Sequence, residues 1–254
     1  MTSPAERDPE RSVSQTVRAQ LALRDLILSG GLRSGERISE LQAVDITGVS
    51  RTPVRMALVR LEEEGLLEAI PSGGFMVKGF SERDIVDSIE LRGTLEGLAA
   101  RFAAERGVSA RDLEPLKEAL AELDQLVRQD AISVEAFSAY VTLNARFHAV
   151  LTELSRSAPL IRQIDRASAL PFASPSGFVM AQSALPESHQ ILVIAQEHHR
   201  VVVDAIENRE GSRAEAVMRE HARLAVRNLR LALRMRTKLD LMPALALIRA
   251  PSAD

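Results

Sequence analysis

The chain has 254 residues, no Cys, no Trp and one Tyr, with 46% hydrophobic residues, 3% aromatics and a formal net charge of −3. That length suggests two domains, and the dominance of Ala, Leu, Glu and Arg predicts a mainly α protein. Zero Cys excludes a disulfide framework, a thiolate zinc finger, an iron–sulfur centre and a Cys nucleophile, while the near-neutral charge sum argues against a nucleic-acid partner.

Residues 1–13 hold two Pro, much charge and little that is apolar, and are expected to be a disordered tail. They do not read as a signal peptide. No apolar stretch approaches the ~20 residues of a spanning helix, so the expectation is a cytoplasmic protein without a membrane partner.

A helical pattern starts at Ser14, with Val17, Leu21, Leu23, Leu26, Ile27 and Leu28 near a 3.6 period, and stops at Gly30-Gly31. Residues 31–37 read as a turn-rich link. A short periodic piece spans Ile38 to Ile46, and a sharper helix runs from Ser50 to about Glu64. Then Leu66 to Ile70 and Phe75 to Val77 read as two strands around Pro71-Ser72-Gly73-Gly74.

Gly48 suits an interhelical turn that needs positive φ. Ser50 is placed as the next N-cap, and Val49 and Val54 have the spacing of a hydrophobic staple. Pro53 falls in the first turn, where its missing N–H costs little. Arg51 and Arg55, four apart, share one face, with Thr52 beside them. Such a helix end can read guanine edges and hold phosphates, or it can be an ordinary solvated face. The turn glycine, the staple, the preceding short helix and the following hairpin together describe a winged helix–turn–helix. Residues 14–80 carry eight basic and eight acidic groups, but the Glu62–Glu64 run lies at the far end of the helix from Arg51 and Arg55.

From Ser81, with Asp84 three residues on, only helical patterns follow, predicted over 81–106, 109–130, 133–155, 158–169, 188–208 and 211–238. Residues 171–187 read as a loop and 241–254 as a loosely held tail. Asn144 and His148 lie one turn apart on one helix face. His199 and His221 are separated by 22 residues, and a hairpin near residue 210 puts both at the same height. His199 and His198 sit on equally apolar stripes, so periodicity does not choose between them. Three His and an oxygen ligand suit zinc or another divalent transition metal; hydrogen-bonded core histidines are the alternative. The Arg row 219, 223, 227, 230, 234 and 236 of the last helix reads as a solvated or dimer-facing stripe.

The run from Leu32 and Ser34-Gly35-Glu36-Arg37-Ile38, through Ser39-Glu40-Leu41 and Gly48-Val49-Ser50-Arg51-Thr52-Pro53-Val54-Arg55, to Arg60-Leu61-Glu62-Glu63-Glu64-Gly65-Leu66 resembles the DNA-binding domain of GntR-family transcription regulators. The resemblance covers about residues 14–80. It implies that Ser50, Arg51, Thr52 and Arg55, with Gly74 at the wing, contact a double-stranded DNA operator. Leu41 stands where Arg is frequent in the family, Met56 where Glu is common, and Ser72 where Arg or Lys precedes the wing glycine.

Residues 81–240 resemble the all-helical FCD-type effector domain of the FadR branch, through Glu90-Leu91-Arg92, Leu95-Glu96, Phe147-His148, His199, Asp204-Ala205-Ile206, Met218 and His221. The resemblance implies a metal, zinc or nickel, on Asn144, His148, His199 and His221, with Asn144 standing where Asp is usual. It also implies Arg92 pairing with a small carboxylate effector, and a homodimeric regulator, most simply a repressor. The alternatives are a metal-dependent enzyme on the three His, or a metal-free regulator with a larger apolar effector. For Arg92 the alternative is a helix-surface ion pair.

Overall fold

The computed structural model describes residues 9–128, 134–170, 172–176, 188–234 and 243–249. The chain divides into two compact units, one running to Glu82 and taking in the segment from Pro243, the other running from Arg83 to Met242.

In the first unit, α1 (Pro9–Leu28) begins before the expected start at Ser14, so residues 9–13 are helical and not tail. Pro9 suits a first helical position, where a missing N–H is no loss. The buried stripe of α1 is Ala19, Leu23 and Ile27, at i, i+4 spacing, while Val17 and Leu21 face solvent. The expected turn-rich link holds a short strand, β1 (Arg37–Ile38). Ser39 then caps α2 (Glu40–Thr47) through a full capping box with Gln42. Gly48 ends α2 at φ 63, the left-handed conformation expected of it. Helix α3 (Arg51–Glu63) buries Pro53, Val54, Ala57, Leu58 and Leu61. Strands β2 (Leu67–Ala69) and β3 (Phe75–Val77) form the hairpin. β1 adds to it antiparallel, giving a three-stranded sheet in the order β1-β3-β2.

The expected C-terminal tail is partly folded. A 3₁₀ turn spans Pro243–Leu247, and Leu245, Leu247 and Ile248 are buried. Phe80 and Ile248 form a parallel bridge, with Phe80 N–H donating to the Leu247 carbonyl at 2.9 Å and Arg249 N–H to the Phe80 carbonyl at 2.8 Å. Three apolar residues that satisfy backbone groups in this way form too short a stretch to show a period.

The second unit is helical: α4 (Glu82–Arg106), α5 (Ala110–Val127), α6 (Val134–Leu154), α7 (Ala158–Ala169), α8 (Ser188–Glu207) and α9 (Gly211–Arg234). Its core joins Ala100, Leu116, Leu123, Phe147, Leu151, Val202, Ile206 and Met218, from five helices. The α8–α9 turn is a Schellman motif with Arg209 in the left-handed position at φ 60. Its bonds run from Arg209 N–H to the Ile206 carbonyl and from Glu210 N–H to the Ala205 carbonyl. On α4, a Cβ at Gly93 would lie 2.4 Å from the Ala222 Cβ, and one at Gly97 would lie 2.7 Å from the Arg219 Cγ. Only glycine at these two positions lets α4 approach α9 so closely. The loop expected over 171–187 is described only at 172–176; the rest of it lies outside the described residues.

Candidate nucleic-acid interface and metal centre

In the first unit, α3 is held by its buried face and offers the opposite face to solvent. Val49 and Val54 are both buried, as the staple spacing requires. Ser50 has the extended backbone of an N-cap, but its side chain makes no capping bond and stays exposed. Arg51, Thr52 and Arg55 are exposed on the first turns. Arg55 Nε lies 3.6 Å from Glu40 Oε1, a solvated pair whose worth is under about 1 kcal/mol. Leu41 and Met56, both departures from the family pattern, are exposed large hydrophobics of this unit. Gly74 has φ 84, and a Cβ there would lie 3.2 Å from the Ile38 carbonyl oxygen. The wing glycine therefore serves the hairpin's own geometry.

The second unit gathers a set of buried polar side chains from four helices. His148 on α6, His199 on α8 and His221 on α9 have ligand atoms within 4.8 Å of one another, and all three are buried. The Schellman turn sets His199 and His221 at one height, with their Nε2 atoms 3.2 Å apart. His198 is half-buried, its ring 6.2 Å from that of His221, and the cluster takes His199. Asn144 is buried one turn before His148; its Nδ2 donates to Ser176 Oγ at 3.1 Å.

Arg92 corrects the surface alternative: it is no surface ion pair, being 1% exposed, and its Nη1 is bonded to the buried Glu96. Glu96 in turn accepts from His148 Nδ1 at 3.0 Å. Burial pushes the Glu96 carboxyl up, but Arg92 and His148 together outweigh it and hold it below the usual carboxylate range. An ionised Glu96 can only accept, so His148 carries a proton on Nδ1 toward it, and in the neutral ring the lone pair then lies on Nε2. Burial, then the neighbouring imidazoles His148 and His198, push His199 well below its ordinary value. Burial, then His199, His148, Arg92 and His198, do the same to His221. Both rings are neutral at pH 7, the form that binds a metal.

The donor set fits an ion. His148 Nε2 and Asn144 Oδ1 are buried without a hydrogen-bond partner, and a buried polar atom left so costs about 1–3 kcal/mol. A cavity of about 20 Å³ beside Asn144 is lined by Arg92, Tyr140, Asn144, His221 and Asn228 together with seven apolar residues, Ile191 and Leu192 among them. Arg92 Nε and Asn228 Oδ1 are also buried and unpartnered. Sequence reasoning did not give Glu96 a role. Its i, i+4 spacing from Arg92 was visible, but its contact with His148 spans 52 residues of chain.

A winged helix with basic residues on the open end of α3, in a chain that also carries a helical unit with a buried polar centre, defines the class as a DNA-binding regulator. Residues 15–77 match the model of bacterial regulatory proteins of the gntR family, and residues 87–224 match the FCD domain. The chain belongs to the GntR family of transcription regulators, in the group that carries an FCD domain. It is 29% identical over 222 residues to a probable D-xylose utilization operon transcriptional repressor of Paenarthrobacter nicotinovorans, covering 87% of this chain and 90% of that protein. It is also 29% identical over 148 residues to the HTH-type transcriptional regulator YdhC of Bacillus subtilis, covering 58% of this chain and 64% of that protein, under two thirds of its length. The fold is that of the solved E. coli McbR/YncC, with a TM-score of 0.61 at 19% identity over 87% of this chain and 98% of that one. Family and relatives are transcription regulators and not enzymes, which sets aside the metal-dependent enzyme. Among the described residues no helix is long and apolar enough to cross a membrane.

Removing Glu96 leaves the Arg92 cation buried and unpaired. Glu96→Ala should therefore cost about 3–5 kcal/mol of stability, measured by urea unfolding. The depressed His199 and His221 stay neutral in the folded chain, whereas in the unfolded chain they take up protons near 6.5. The unfolded state then binds more protons, so the melting temperature of the metal-free protein should fall as pH drops below about 6.5. A flat profile between pH 7.5 and 5.5 would contradict this.

Proposed function

We propose that this chain is a homodimeric, ligand-responsive repressor that reads a palindromic operator with Arg51, Thr52 and Arg55. The exposure of these three on a helix whose other face is buried carries the reading. Arg can pair bidentately with guanine, and Ser50 with the first-turn N–H groups can hold a phosphate. Gly74 shapes the hairpin of the wing that would lie against the duplex. A two-fold dimer presents two such helices at half-sites about one DNA turn apart.

The helical unit would hold one divalent metal, zinc or nickel, on His148, His199, His221 and Asn144. The bare Nε2 of His148 and the unpartnered Oδ1 of Asn144 support this. Neutral Asn in place of a carboxylate lowers the charge of the donor set and should weaken binding. A bound metal would supply a Lewis-acid position for one oxygen of a small carboxylate effector. Arg92 keeps its Nε–H for that carboxylate while Nη1 holds Glu96. A cavity of about 20 Å³ has room for about one water, so the effector must widen it. An effector that binds the widened form better shifts the population toward it. Seven of the twelve residues lining the cavity are apolar, but the unpartnered Arg92 Nε, Asn144 Oδ1 and Asn228 Oδ1 beside it favour a ligand with polar groups over a wholly apolar one.

Replacing Arg51 and Arg55 together by Ala should weaken binding to an operator selected from random duplexes by at least about 30-fold, from two contacts of about 1–3 kcal/mol each. The circular dichroism of the double variant should be unchanged. Unaltered affinity would refute the α3 assignment. His148→Ala with His221→Ala should take zinc from near one per chain to near zero, by mass spectrometry after dialysis; full occupancy would refute the site.

A further inference from the structure

The nitrogen that His199 can offer to a metal depends on Gln196. An imidazole binds a metal through a bare nitrogen, and which nitrogen is bare follows from the bond made by the other. His199 Nδ1 lies 3.1 Å from Gln196 Oε1. An amide can be turned end for end, so the identity of that atom has to be argued from its other neighbours.

Here the neighbours decide. Gln196 is fully buried, and its Nε2 lies 3.0 Å from the Leu120 carbonyl and 2.6 Å from Asp124 Oδ1. Both of these can only accept, Asp124 being ionised and paired with Arg200 at 2.7 Å. The amide's two hydrogens are thus both used. A reversed amide would set its oxygen against a carboxylate and a carbonyl, two groups that only accept. Oε1 therefore faces His199 and can only accept, which puts the His199 proton on Nδ1 and leaves Nε2 bare.

The His221 tautomer follows. Its Nε2 lies 3.2 Å from the bare Nε2 of His199, so in the metal-free chain His221 carries its proton on Nε2 and donates it. Its Nδ1 is the buried atom left without a partner.

We propose that Gln196, clamped by Asp124 and the Leu120 carbonyl, is a positioning residue that presets His199 to offer Nε2 to the metal, as Glu96 presets His148. His221 then stands in the opposite tautomer until a metal arrives. This rests on the metal reading above only for its purpose; the tautomers belong to the metal-free chain.

The test is long-range proton–nitrogen NMR of the histidine side chains in the metal-free full-length protein, with zinc affinity measured alongside. His148 and His199 should show protonated Nδ1 and bare Nε2, and His221 the reverse. A protonated Nε2 on His199 in the unaltered chain overturns the proposal without any variant. Gln196→Met keeps the volume and loses the acceptor. It should give His199 a mixture of tautomers and weaken zinc binding about 10–100-fold. If Gln196→Met keeps both the single tautomer and the zinc affinity, the proposal fails. Absence of zinc binding in the unaltered chain, with the tautomers as stated, would refute the metal reading and leave the tautomer assignment supported.

Discussion

A charged group buried among helices must be neutralised where it stands, and Glu96 is the point at which this protein meets that demand. Its desolvation costs several kcal/mol before any partner is counted. Arg92, one turn earlier on α4, and His148, from α6, offset it. Each of the three is itself buried and would be costly alone. The centre therefore forms as a unit, and its formation fixes α4 against α6. The glycines at 93 and 97 complete the arrangement by bringing α4 onto α9, which carries His221.

The same logic extends outward from the histidines. His199 leans on Gln196, Gln196 on Asp124 and the Leu120 carbonyl, and Asp124 on the solvated end of Arg200. Buried polarity is handed from one partner to the next until it reaches water. Atoms that interrupt this pattern in the second unit, His148 Nε2, Asn144 Oδ1, Arg92 Nε, His221 Nδ1 and Asn228 Oδ1 among them, belong to the residues around the histidine centre and its cavity. They mark the place where something outside the chain is expected to bind. In the first unit the constraint is simpler. The buried face of α3 is apolar throughout, so its exposed face is free to carry arginine without any compensating partner in the core.

Much of this was legible along the chain. The 3.6-residue pattern located the six long helices of the second unit to within a few residues, because each has a continuous apolar stripe. The hairpin arithmetic put His199 opposite His221, because helical rise converts residue number into height. What escaped was short or non-local. β1 is two residues long and exists only because β3 pairs with it. The segment after Pro243 folds only where Phe80 receives it. The start of α1 at Pro9 was hidden by charged residues that carry no apolar period.

The sequence by itself determined the class of the protein, the two kinds of unit, the helix that bears Arg51 and Arg55, and the three histidines. All of these are encoded in local spacing, which a helix turns directly into a face or a height. Only the tertiary structure decided between an interior and a surface place for Arg92, and gave Glu96, Gln196 and Asp124 their partners. Those choices depend on which side chains meet across 52, 72 or 76 residues of chain, and on the cost of leaving a buried charge or amide alone.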